Sequence, residues 1–214
     1  STILLPSVLI EIPSRAFYQA KITSIIIPDN VKTIGASAFY QCKSIKGNLV
    51  IPNATTSIGD YCFQECTFNG TLTLGTGLLQ IGTKAFAGCD KFKGNLTIPN
   101  NVEKVGDAAF ALCSGFDGRL TIGNGVKSLG SYTFFDCHNL TKVTIGSGIR
   151  VIGFCTFAKC YNLSGTLTIP DNVEEIWSAA FWGCTGFEGS LIIGSGVTKI
   201  YKLAFRSSDY KNGI

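Results

Sequence analysis

The chain has 214 residues and a formal net charge of +4, from 18 Lys and Arg against 14 Asp and Glu. Apolar residues make up 45% and charged residues only 15%, yet Gly, Pro, Thr or a charge breaks every apolar run within a few positions, which excludes a membrane-spanning helix. The cations are scattered, which excludes the basic cluster of a nucleic-acid binder. The length is ample for one sizeable core. The apolar opening Ser1–Ile10 has no basic start and no initiator Met, so it reads as a mature terminus or an excised boundary and not as an intact signal peptide.

Phe occurs at 17, 39, 63, 86, 110, 134, 157, 181 and 205, in steps of 22 to 24 residues, and one phrase surrounds each of them. Leu96–Cys113 (LTIPNNVEKVGDAAFALC) and Leu167–Cys184 (LTIPDNVEEIWSAAFWGC) show the unit. It opens on a strand. Leu96 and Ile98 alternate with Asn95 and Thr97, the period-two pattern of a half-buried strand, and Leu72/Leu74, Leu120/Ile122, Val143/Ile145 and Leu167/Ile169 repeat it. A turn follows, such as Pro28-Asp29-Asn30 or Gly123-Asn124-Gly125. Its third residue is Asn or Gly in nearly every copy, and these types tolerate positive φ best, so a left-handed residue is expected there. Next, two apolar residues three apart turn inward, as Val102 and Val105 or Val173 and Ile176.

Ser14, Asp60, Thr83, Asp107, Ser131 and Ser178 stand three residues before a Phe. They read as N-caps of one or two helical or 3-10 turns around it. Cys closes the unit, three residues after the Phe. A unit of this size cannot bury its own apolar face and must stack on its neighbours. The expected fold is therefore α/β, a right-handed solenoid of about nine repeats occupying 1–214 as one domain. It should carry a strand ladder on one side, short helical turns elsewhere, and each Phe buried at the equivalent point of its coil. At the ~4.8 Å spacing of paired strands, nine coils span roughly 40 Å.

The phrase Ile-Pro-x-x-Val-x-x-Ile-Gly-x-x-Ala-Phe-x-x-Cys resembles the BspA-like class of leucine-rich repeats over essentially the whole chain. Departures are few. Ala20 and Ser208 replace Cys in the end copies, Cys62, Thr133 and Thr156 replace the Ala before Phe, and Trp177 and Tyr201 replace the Gly. The resemblance implies a leucine-rich-repeat solenoid belonging to a longer secreted or surface-anchored protein of a bacterium or a parasitic protist. It also implies adhesion to host or matrix proteins or to other cells. Fold alone does not fix such a function.

Seven of the nine Cys form one column: 42, 66, 89, 113, 137, 160 and 184. Zinc sites use CxxC pairs or His partners, and the sequence offers neither, so no metal and no cofactor is expected. Stacked coils could bring column mates within bridging distance. A strictly repeated inward position nevertheless suits a small buried hydrophobe, so reduced, buried thiols are expected, with the off-column Cys155 less protected. Gly123-Asn124-Gly125 and Gly146-Ser147-Gly148 begin like dinucleotide fingerprints but complete no GxGxxG, and read as corner turns. The single His, His138, follows Cys137, and adjacent side chains point different ways. No nucleophile–base–orienter set exists, so no catalytic residue is assigned. Five sequons, at Asn53, Asn69, Asn95, Asn139 and Asn162, are glycan sites if the protein is exported from a eukaryote.

The outward strand positions are the leading binding candidate, because solenoids offer such faces to ligands. Most are Thr or Asn, which also suits any exposed strand. Adjacent coils instead offer Arg119 and Lys142, flanked by Thr121 and Thr144, with Thr97 and Thr168 beyond. This donor-rich patch suits acidic protein or glycan groups. A second candidate is the residue after the Phe, aromatic at Tyr18, Tyr40, Phe135 and Trp182. The functional expectation is a non-enzymatic recognition and adhesion module, at a cell surface or secreted. Its partner would be a protein or glycan of host, matrix or another cell, not a nucleic acid. The alternative is a structural spacer with no ligand of its own. Ice binding needs a regular Thr-x-Thr array, which Arg119 and Lys142 interrupt.

Overall fold

The computed structural model describes residues 2–206. Eighteen short strands fall into nine pairs, so the chain makes eight turns between the first pair and the last. The first strand of each pair is the Leu-x-Ile stretch, for example Leu96–Ile98. The second, for example Lys104–Val105, ends on the Ile, Val or Leu of the Val-x-x-Ile stretch, which points inward in every coil but the last, where Ile200 is exposed. Both ladders are parallel and join neighbouring coils. Thr121 pairs with Thr97 and Thr144 in the first, and Val105 with Ile81 and Leu129 in the second. The Leu-x-Ile alternation predicts only the first ladder.

There is no helix among the described residues, and the helical turns expected around each Phe are replaced by a different arrangement. N–H groups there alternate between two acceptors. Those of Lys84, Phe86 and Gly88 donate to the carbonyls of Asp107, Ala109 and Ala111 in the following coil. Those of Ala85, Ala87 and Cys89 donate three residues back, to Gly82, Lys84 and Phe86. The alternation requires left-handed residues two before and two after the Phe, as at Ala108 (φ 52) and Leu112 (φ 61). A helix would satisfy its N–H groups internally and leave the coil unbonded to its neighbours. Buried backbone groups need partners, and stacking supplies them between coils.

Two smaller expectations change for the same reason. The cap residues serve the neighbouring coil: Asp60 Oδ1 accepts from Thr83 N at 2.7 Å, and Asp107 Oδ1 from Ser131 N at 2.8 Å. The third residue of the corner turn is not left-handed. Glycine is favoured at Gly125 by crowding, since a Cβ there would run into the carbonyl oxygen of Asn100 in the coil before.

The repeated Phe rings stack along the axis with centroids 5.0–5.7 Å apart. Phe39 through Phe181 are fully buried, while Phe17 and Phe205 in the end coils are partly so. A second buried column, not predicted by the spacing of the repeated Phe, runs beside it. Phe68, Phe92 and Phe116 stack at 5.5 and 5.4 Å, and Ile45, Leu140, Leu163 and Phe187 continue it. Its signal was a fixed offset, two or three residues after each Cys. Each buried Phe contributes about 1.5–3 kcal/mol of apolar transfer energy.

The ladders are not continuous. The first is interrupted before Leu49–Val50, Leu96–Ile98 and Leu167–Ile169, and left-handed Gly47, Gly94 and Gly165 precede those three strands. The second is interrupted once, between Ser128–Leu129 and Val151–Ile152. There the bulky Phe154 stands where other coils carry small residues such as Ser131. A Cβ on Gly153 would lie 3.6 Å from the nearest backbone of the coil before, against 2.5 Å at Gly59 and Gly106.

Candidate functional site

The first ladder sets the outward residues side by side. Arg119 pairs in register with Lys142, and Thr121 with both Thr97 and Thr144. All are exposed except Thr121, which is half-buried. Arg119, Lys142, Thr144 and Thr168 line one depression of about 430 Å³, together with Ser164 and Thr166. It straddles the interruption between Lys142–Thr144 and Leu167–Ile169. Thr97 and Thr121 line a second, of about 490 Å³, with Asn100 and Thr76. The six residues thus lie along one strip of the strand face. Among the described residues neither cation has a carboxylate partner. Like charges directly opposed across strands are unfavourable, so an anion is the natural complement.

The second candidate group separates. Tyr18 and Tyr40 stack on each other at 4.9 Å near one end. Phe135 and Trp182 lie far along the solenoid, where the Lys159 ammonium sits 5.4 Å from one ring and 5.7 Å from the other. Phe135 packs on a small buried cluster of Cys155, Ala158 and Ala179.

The five sequon asparagines share a structural job, clipping coil to coil. Asn53, Asn69 and Asn95 accept through Oδ1 from the N–H groups of Thr76, Gly47 and Arg119. Asn139 Nδ2 donates to Ser114 O, and Asn162 Nδ2 to Asn139 Oδ1. The Thr55 hydroxyl of the Asn53 sequon is buried and donates to Val31 O.

All nine cysteines are free and buried. The column does more than fill space. Each Sγ donates to the carbonyl of the Phe one coil back, from Cys42 to Phe17 O (3.1 Å) through Cys184 to Phe157 O (3.1 Å). Burial pushes the thiols of Cys89, Cys137 and Cys184 up to about 12, and those of Cys62, Cys66, Cys113 and Cys160 upward too. Cys155, 5% exposed, is also raised by burial, so its slight exposure brings no activation. Cys42 differs: the neighbouring Cys66 side chain, more than any other influence, lowers it. Native protein titrated with a disulfide thiol reagent should therefore react slowly and at Cys42 first, and denatured protein should titrate all nine. Fast native reaction of several thiols, or denatured protein with column pairs already oxidised, would contradict this.

Cys137 and His138 do not form a dyad. The Cys137 thiol donates to Phe110 O, while His138 Nδ1 lies 2.8 Å from Asp136 Oδ1. Among the described residues no cluster of His, Cys, Asp and Glu is arranged to hold a metal, and no helix is long and apolar enough to cross a membrane.

Stacked coils of one short phrase, with a parallel ladder of Leu-x-Ile strands and an inward Phe and Cys, define a leucine-rich-repeat solenoid. The model of the BspA type leucine rich repeat region matches in six copies, over residues 10–115 and 80–212. The chain belongs to that family. Among solved structures it is similar to a leucine-rich repeat protein of T. pallidum, TpLRR, at 26% identity and a TM-score of 0.65, covering 76% of this chain and 77% of that one. It is also similar to a leucine-rich cell surface protein of Faecalibacterium prausnitzii, at 21% identity and a TM-score of 0.42, covering 92% and 80%. A third is the pneumococcal vaccine antigen PcpA, at 18% identity and a TM-score of 0.42, covering 94% and 72%. Comparison with curated proteins gives no significant match.

Proposed function

We propose that the chain is a non-enzymatic recognition module acting at a cell surface or outside the cell. It binds acidic groups of a host, matrix or cell-surface macromolecule. Arg119 and Lys142 supply the charge, Thr121 and Thr144 the flanking hydroxyls, and Thr97 and Thr168 extend the contact. The observation that carries this reading is the pair of unpartnered cations set in register on an exposed strand face. Membership of the BspA-type family supports the surface location. The glycan role of the five sequons belongs to the same reading, and applies only in a eukaryotic secretory route.

The test is capture of ligands from matrix and serum proteins by immobilised wild type and by Arg119→Glu/Lys142→Glu. Both side chains are exposed, so folding should change by no more than about 0.5 kcal/mol. Captured partners should elute with rising salt from the wild type and bind the double variant about tenfold more weakly, a loss of about 1.4 kcal/mol. Equal capture with equal salt dependence would remove the site from this face. Capture of nothing by either protein would favour a spacer.

A further inference from the structure

The first ladder breaks between Lys142–Thr144 in the seventh coil and Leu167–Ile169 in the eighth. Where this ladder is intact it follows one rule. In the third coil the N–H groups of Leu49 and Ile51 donate to the carbonyls of Thr71 and Thr73 in the fourth. Val143 and Ile145 hold the equivalent places opposite Thr166 and Thr168, and among the described residues no backbone hydrogen bond joins them. The N–H of Thr166 lacks its cap as well. At Thr71 and Arg119 the equivalent N–H donates to Oδ1 of Asn48 or Asn95, and Lys142 stands in that Asn's place.

Two features set this break apart from the others. The inward Val143 is half-buried, whereas Leu49, Leu72, Leu96, Leu120 and Leu167 at the same point of their coils are buried, even though Leu72 borders a break of its own. The flanking strands also approach each other less closely than those at the other breaks. The depression of about 430 Å³ lies here, lined by Val143, Ile145, Gly165 and Thr166 together with Arg119 and Lys142. It is a slot between two open strand edges, with two cations beside it.

We propose, resting on the acidic-ligand reading above, that this seam admits an extended acidic segment of a protein partner. The segment enters the first ladder as an extra strand between the seventh and eighth coils. In a parallel ladder each edge alternates N–H and C=O groups. A free anion would suit the N–H groups of Val143 and Ile145 but would meet the carbonyls of Val143, Thr166 and Thr168. A peptide strand carries the same alternation with the same two-residue period, and so pairs with both edges. Its side chains alternate too. Those on the outer face lie beside Lys142, with Arg119 one coil further, so carboxylates belong there. Those on the inner face lie beside Val143 and Leu167, so small apolar side chains belong there. The added strand needs neighbours roughly 4.8 Å away on each side. The seam parts to admit it, while the second ladder stays closed between these two coils.

The probe is the N-acetylated, C-amidated hexapeptide Ser-Glu-Val-Glu-Val-Ser, titrated into the full chain and followed by NMR. It should bind saturably below millimolar concentration. At saturation it should slow amide exchange at Val143, Ile145 and Thr168 by about tenfold or more, and leave Leu120 in the intact ladder unchanged. Gln in place of both Glu should weaken binding by about tenfold or more, and so should Arg119→Glu/Lys142→Glu. N-methylation of both Val keeps every side chain but removes donors to one strand edge, and should weaken binding by a similar factor. Strand insertion is overturned, and the acidic-ligand face left standing, if the N-methylated peptide binds as the parent does or if exchange at Val143 and Ile145 is unchanged at saturation. If the Gln peptide binds as the parent does, the acidic-ligand reading falls with it. Absence of binding by the parent at millimolar concentration also overturns insertion.

Discussion

Replacing Phe110 by Ala is expected to destabilise the protein by about 3–5 kcal/mol, the usual range for truncating a buried aromatic ring. Phe110 is fully buried between Phe86 at 5.1 Å and Phe134 at 5.7 Å, so the change removes two stacking contacts as well as apolar burial. The loss is a large share of the 5–15 kcal/mol available to a typical domain. It should also be local, because each coil contacts only its neighbours. Hydrogen exchange should accelerate most around residues 80–140. Phe205→Ala, in a half-buried end position, should lose much less. Equal losses at the two sites would show that the Phe column is not the axis of the core.

The second large effect is expected in alkali. Buried thiols titrating near 12 are more weakly acidic when folded than when unfolded, where the ordinary value is about 9. Below the unfolded value both states hold their protons and the stability is fully present. Above it the unfolded chain ionises first, and stability falls until pH passes the folded value. Each such thiol removes about 1.4 kcal/mol per pH unit in that window, so Cys89, Cys137 and Cys184 together remove about 4 kcal/mol per unit. Five further thiols, Cys62, Cys66, Cys113, Cys155 and Cys160, shift the same way, while Cys42 opposes them. The solenoid should unfold at about pH 10 to 11, reversibly under reducing conditions. Replacing Cys89 and Cys137 together by Ala should flatten this pH dependence, even though it leaves the Phe63 and Phe110 carbonyls short of a donor. Circular dichroism unchanged past pH 11 would mean that the thiols are not buried as described.

The repeat and its parallel stacking were legible because Phe, Cys and the Leu-x-Ile alternation recur at fixed intervals, and fixed intervals translate directly into columns. The register of Arg119 with Lys142 followed from the same spacing. What misled was local. Ser or Asp three before an Ala-Phe stretch is a helix start when the chain must satisfy its own N–H groups, but at Asp107 the N–H to be satisfied, that of Ser131, belongs to the next coil. Ala108 and Leu112 carry no mark of a left-handed backbone; only the inter-coil hydrogen bonds demand it. Likewise a repeated inward Cys predicts only a filler of space, since nothing in one sequence reveals that its S–H meets a carbonyl one coil away. Glu175 was invisible as a holder of Trp177 and Tyr201, because the three gather only when two coils stack.

The two interruptions on either side of the seventh coil have a mechanical meaning. Between the sixth and seventh coils the second ladder is open, while Tyr132, Phe134 and Asp136 still donate across to Phe154, Thr156 and Ala158. Between the seventh and eighth the first ladder is open and the second is closed. Each joint is thus fastened along some edges and loose along another, as a hinge is, and the loose edges lie on different faces. A tensile load along the axis would be borne least well there, and in an optical trap the first rip should release about one third of the chain, the coils beyond the sixth. The depression lined by Arg119, Lys142 and Thr168 spans the second of these joints, so a bend there would widen or narrow the place proposed for the acidic ligand.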